Sequence, residues 1–151
     1  MAQLETHAAE HTQDDPEFQT FQVRPPLLDS GKQTYPLAAD DLMHATVMVA
    51  DSGGETVVHS HLAMDQVFLV LAGQATFYKG LDEIVGVLGP MEGILVPRGA
   101  KYWYEKTSDE NLVLFRTAAN DPNAPHDSPR FSEPLRERLP LKEREGAFFG
   151  S

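Results

Sequence analysis

Between Met43 and Ala119 the chain never runs more than about ten residues without a turn signal, and this spacing constrains the fold most. Runs rich in Val, Ile, Leu, Phe and Tyr (Met43–Asp51, Glu55–His61, Gln66–Ala72, Gln74–Lys79, Glu83–Leu88, Ile94–Pro97, Lys101–Lys106 and Asn111–Ala119) are separated by Gly53-Gly54, Gly73, Gly80-Leu81-Asp82, Gly89-Pro90, Pro97-Arg98-Gly99 and Ser108-Asp109-Glu110. None of these runs has the length of a typical helix. About eight short strands in about 77 residues read as an antiparallel sandwich or a small closed barrel, whose interior can hold one small ligand.

The flanks read differently. Residues 1–17 carry five acids and no Lys or Arg, and their low apolar content predicts a flexible acidic arm. His7 and His11 lie in this arm four residues apart; two solvated histidines are expected there rather than a metal clip. Residues 18–120 form the expected barrel domain. Residues 121–151 are punctuated by Pro122, Pro125, Pro129, Pro134 and Pro140, so a long regular element is not expected. Their scattered apolar groups, ending in Phe148-Phe149, predict a strap packed over its own domain or a neighbouring subunit.

Charge and composition exclude several functions. The net charge is -11, of which the arm contributes -5, residues 18–125 contribute -6 and the remainder is neutral. An acidic chain is a poor partner for nucleic acid and for anionic membrane surfaces. No apolar run reaches the length of a membrane helix, and the N-terminus does not read as a signal peptide, so a cytoplasmic protein is expected. There is no cysteine, which rules out disulfides, thiolate metal sites and cysteine nucleophiles. No phosphate-cradling glycine loop, serine nucleophile elbow or facing carboxylate pair is present.

The chemistry centres on His59 and His61. Residues two apart on a strand share a face, so both imidazoles point either into the barrel or out to solvent. The inward orientation is preferred, because the outward one turns Ser60 into the interior. Facing inward, the pair offers two nitrogen ligands for a metal. Gln66 follows five residues later at the head of an apolar run closed by Gly73, and Pro97, Gly99 and Tyr102 lie beyond.

This pattern resembles the two motifs of the cupin superfamily. Gly53, His59, His61, Gln66 and Gly73 keep every spacing of the first motif, and Pro97, Gly99 and Tyr102 follow the second. The resemblance spans roughly residues 40–120 and implies an all-β, double-stranded β-helix barrel holding a divalent ion. Two ligand positions depart from the family pattern: Gln66 replaces a glutamate and Tyr102 a histidine. Gln offers a neutral carbonyl, a weaker donor than a carboxylate. Tyr102 is either a ligand ionised by the metal or a hydrogen-bond donor and acid facing the substrate.

The expectation is a metal-dependent cupin-type enzyme acting on a small organic molecule. His59, His61, Gln66 and Tyr102 would hold Fe, Mn, Ni or Zn, and Tyr102 or Tyr104 would move a proton. Oxygenation, isomerisation, cyclisation and lyase chemistry all remain open. The alternative is a non-catalytic small-molecule-binding barrel with a degenerate metal site, and a third possibility is a dimerisation unit with a vestigial pocket. Arg116, alone in an apolar strand, is either an anchor for an anionic substrate or an interface residue. Phe68 is a core or pocket-wall residue, and Asp65 should point away from the site. Trp103 should face outward, where a subunit or tail contact would cover it; with the strap, this predicts a homodimer.

Overall fold

A computed structural model describes residues 16–124, 128–133 and 139–150. The expectations for residues 1–15, including His7 and His11, fall outside the described residues. Twelve strands are present among those described, with no helix. In chain order they are β1 (Pro26–Ser30), β2 (Lys32–Ala39), β3 (Met43–Ala50), β4 (His59–Ser60), β5 (Met64–Ala72) and β6 (Ala75–Lys79). They continue with β7 (Glu83–Leu88), β8 (Gly93–Val96), β9 (Tyr102–Lys106), β10 (Leu112–Asn120), β11 (Arg130–Phe131) and β12 (Lys142–Phe148). Two five-stranded sheets, ordered β2-β3-β10-β5-β8 and β11-β4-β9-β6-β7, carry the barrel, and β1 pairs with β12 in a separate ribbon. Each of these pairings is antiparallel.

Strand alternation explains why the middle strands are so apolar. On β3 and β10 the side chains of Met48, Ala50, Leu112 and Leu114 enter the barrel core with Phe68, Phe77 and Tyr104. The intervening Val47, Val49 and Val113 enter a second core with Leu28 and Leu37, against which Phe115 and Phe149 pack. Both faces of these strands are therefore dry, and their sequence loses the polar alternation of a half-exposed sheet. Asn111 ties the outer layer to the barrel. Its amide accepts from Leu28 N at 2.6 Å and donates to Leu28 O at 3.0 Å and to Asp51 at 2.9 Å.

The structure differs from the strand runs of the sequence at three places. Strands β1 and β2 lie before those runs, which begin at Met43. Pro36 is accommodated because β2 is an edge strand, where a missing N–H costs no ladder bond, and the register shifts just after it. The run Glu55–His61 is strand only at His59–Ser60. The proline-rich tail contributes the seven-residue β12, seated on β1 of the same chain, with Arg144 bonded to Asp29 at 3.1 Å.

Trp103 does face away from the barrel interior, but its own chain covers it. Tyr78 stacks on the indole at 4.1 Å between centroids, and the indole N–H donates to Leu81 O at 2.8 Å. No neighbouring subunit is required to bury it.

Candidate functional site

One end of the barrel holds a cavity of about 210 Å³. His59 comes from β4, and His61 from the bend that follows it. Gln66 and Phe68 share the inner face of β5, Tyr102 and Tyr104 that of β9, and Arg116 comes from β10. Lys32 on β2 and Phe131 on β11 complete the rim. The structure thus brings His59, His61, Gln66, Tyr102 and Tyr104 to one cavity. Asp65 points out, as strand alternation requires, and pairs with Arg98 at 3.3 Å.

Each polar group has a defined partner. His59 Nδ1 lies 2.6 Å from Val57 O. A carbonyl only accepts, so Nδ1 carries the hydrogen and Nε2 presents a lone pair. The two imidazoles meet edge to face at 5.2 Å. Burial pushes the His59 imidazole down to about 4; the Val57 hydrogen bond partly opposes this, while His61, Lys32 and Arg116 add to it. His59 is therefore neutral at physiological pH.

Gln66 is buried and bonded through both ends of its amide. Its Oε1 accepts from Arg116 Nε at 2.8 Å, and its Nε2 donates to the Tyr102 hydroxyl at 3.1 Å. The remaining Arg116 contacts are soft: His44 Nε2 at 3.5 Å and Met64 Sδ at 3.7 Å. Tyr104 lies deeper. Its ring stacks on Phe77 at 4.9 Å, its hydroxyl meets Met48 Sδ at 3.8 Å, and Lys32 Nζ sits 5.2 Å from its ring centre. These contacts make Tyr104 a wall of the cavity.

The donor set fits a resident divalent cation poorly. The Gln66 carbonyl that would ligate it is occupied by a guanidinium. Among the described residues, no three His, Asp or Glu side chains stand close enough together to share a metal ion. Among the described residues, the charged groups lining the cavity are Lys32 and Arg116, and none of the lining residues is acidic. Two basic side chains in the cavity wall disfavour a divalent ion there.

The sequence reading raised Arg116 but not its place beside Gln66. Lys32 and Phe131 went unrecognised. Lys32 follows a glycine in a strand not anticipated, and Phe131 reaches the cavity through a two-residue pairing with β4 across a long sequence gap. No local pattern marks either residue.

Two antiparallel five-stranded sheets closed around such a cavity define a double-stranded β-helix. Solved cupin and double-stranded β-helix structures share this fold. An uncharacterised protein with a double-stranded β-helix domain from Klebsiella pneumoniae superposes with a TM-score of 0.61 at 18% identity, over 76% of this chain and 98% of that one. The cupin domain of Cnp3 from Schizosaccharomyces pombe gives 0.56 at 21% identity, over 62% of this chain and 68% of that one. The DMSP lyase DddQ from Ruegeria pomeroyi gives 0.55 at 21% identity, over 67% of this chain and 51% of that one. The fold is thus shared with an enzyme. No protein-family model and no curated protein matches the sequence. No helix among the described residues is long and apolar enough to cross a membrane.

Proposed function

We propose that this cupin barrel binds a small organic anion through its own side chains, with the ligand's carboxylate seated against Arg116 and steered by Lys32. The observation that carries this reading is Arg116 itself. It is half-buried in the cavity wall, and among the described residues its partners are an amide oxygen, an imidazole nitrogen at 3.5 Å and a thioether, with no carboxylate. A cation withdrawn from water without a counter-charge is costly, and a planar guanidinium matches a carboxylate in two parallel hydrogen bonds. Neutral His59 offers a hydrogen-bond acceptor beside that seat without adding charge.

Calorimetry on chelator-treated protein tests this with a panel of small carboxylates and their uncharged amides. Carboxylates should bind without added metal and amides should not. Arg116→Gln should weaken carboxylate binding by tenfold or more, since losing one partner of a desolvated charge pair costs about 2–5 kcal/mol. Equal binding of acids and amides would refute the reading.

One observation favours a second reading. With Nδ1 held by Val57, His59 presents Nε2 next to His61, which is how metal-holding imidazoles are commonly oriented. In that reading an anionic substrate supplies the negative charge the walls lack, and a divalent ion and the anion bind together to a metal-dependent enzyme. Carboxylate affinity that appears only with added Fe, Mn, Ni or Zn, and disappears in His61→Ala, would favour it.

A further inference from the structure

We infer that the ligand of this cavity carries a flat aromatic ring seated against Phe131, so that the anion bound here is an aryl carboxylate. The carboxylate rests on the anion reading, and the ring rests on the wall of the cavity. The C-terminal strap builds part of that wall. β11 pairs with β4 so that Arg130 stands opposite Ser60 and Phe131 opposite His59, and Ser132 N donates to Val58 O at 2.9 Å. Residues directly opposite each other on two strands share a face. This register turns the Phe131 ring to the side of the His59 imidazole, 5.9 Å away at a tilt of 38°.

From Phe131 a row of rings crosses the cavity. Tyr102 follows His59 at 4.5 Å, and Phe68 follows Tyr102 at 6.1 Å, with tilts of 45° and 57°. Every spacing in the row lies within the range of favourable ring pairs. Phe68 is in turn the strand partner of Arg116. The row thus runs from the rim to the strand pair that carries the guanidinium, and a ligand held at Arg116 lies along aromatic surface. His59, Tyr102 and Phe68 are buried, whereas Phe131 lines the cavity and stays 50% exposed at its mouth. That exposed half is apolar area a ligand can take out of water. A flat ring gains more there than an aliphatic group of similar size, because aromatic pairs attract beyond their area burial. The room suffices: a cavity of about 150 Å³ holds benzene, and this one has about 210 Å³.

The test is calorimetry on chelator-treated protein with benzoate, phenylacetate and 3-phenylpropanoate, each against its cyclohexyl counterpart. The paired acids share a charge and a carbon count. The cyclohexyl acids are at least as hydrophobic, so burial alone gives an aryl-to-cyclohexyl affinity ratio of one or below. In the wild type the best aryl acid should bind about fivefold more tightly than its partner, the worth of one well-placed ring pair. Phe131→Leu keeps apolar bulk without the ring; it should bring the ratio to one or below while cyclohexyl binding persists. Phe131→Tyr, which restores a ring, should restore the preference. A ratio of one or below in the wild type, or one that survives Phe131→Leu, overturns the inference. Benzyl alcohol against cyclohexylmethanol, read by ligand-observed NMR, tests the ring without the charge. An aryl preference there that Phe131→Leu removes, with no carboxylate bound, keeps the ring seat and sinks the anion reading. No aryl preference in either series overturns the ring seat.

Discussion

The buried His59 imidazole should make the protein acid-sensitive in a specific window. Its value falls from 6.5 in an exposed chain to about 4 in the fold, chiefly through burial. The folded protein thus resists protonating a group that the unfolded chain protonates readily. The contribution of neutral His59 is fully present above about pH 6.5 and is lost as the pH falls toward 4. At pH 4.5 the two values correspond to about 2.5 kcal/mol. Water at the mouth of the cavity screens part of this, leaving about 2 kcal/mol. Urea denaturation of the wild type and of His59→Gln at pH 7.5 and pH 4.5 measures it. Both proteins will weaken in acid as carboxylates protonate, but the wild type should lose about 2 kcal/mol more, roughly 1 M in urea midpoint for a domain of this size. Equal losses in the two proteins would refute the reasoning, as would an NMR titration of His59 with its midpoint near 6.5.

Other features of the fold make separate predictions. Asn111→Ala should cost about 1–3 kcal/mol in urea denaturation, because it strips Leu28 N of its side-chain acceptor in a dry environment and leaves Leu28 O with Arg144 alone among its side-chain donors. Gly73→Ala and Gly99→Ala both place a side chain at positive φ, but only at Gly73 does the new Cβ meet backbone, 2.5 Å from Asn111 O. Gly99→Ala should therefore cost about 1 kcal/mol and Gly73→Ala clearly more, read as the difference between their denaturation midpoints. Trp103 should show blue-shifted, quencher-resistant fluorescence that does not change on dilution, since Tyr78 and the turn at Leu81 cover it within one chain. Emission that shifts red on dilution would mean that another subunit buries it.

Much of the fold was legible because β-structure leaves short-range marks. Each turn needs a residue tolerant of unusual backbone angles, and Gly53, Gly73, Gly80 and Gly99 all have positive φ in the structure. The inward direction expected of His59 and His61 agrees with the cavity both line, although the strand ends at Ser60 and His61 reaches the cavity from the segment after it. What stayed hidden was non-local. β1 and β12 pair from opposite ends of the chain. Pro36 lies within β2, and the position of that strand at a sheet edge is what makes the proline harmless. Trp103 looked in need of a subunit because nothing near it in sequence announces Tyr78 as its cover.

The same division runs through the site. The sequence by itself determined the barrel, the pair of histidines facing inward, and the two departures, Gln66 and Tyr102, from the motif it resembles. It could not say what those departures accomplish, because their meaning depends on a neighbour fifty residues away in the chain. Only the tertiary structure placed Arg116 against the Gln66 carbonyl and the Gln66 amide against Tyr102. Hydrogen-bond polarity is a property of pairs: an amide can face either way until a group that can only donate fixes it. Packing β5 between β8 and β10 supplies that group, and with it the charge of the pocket.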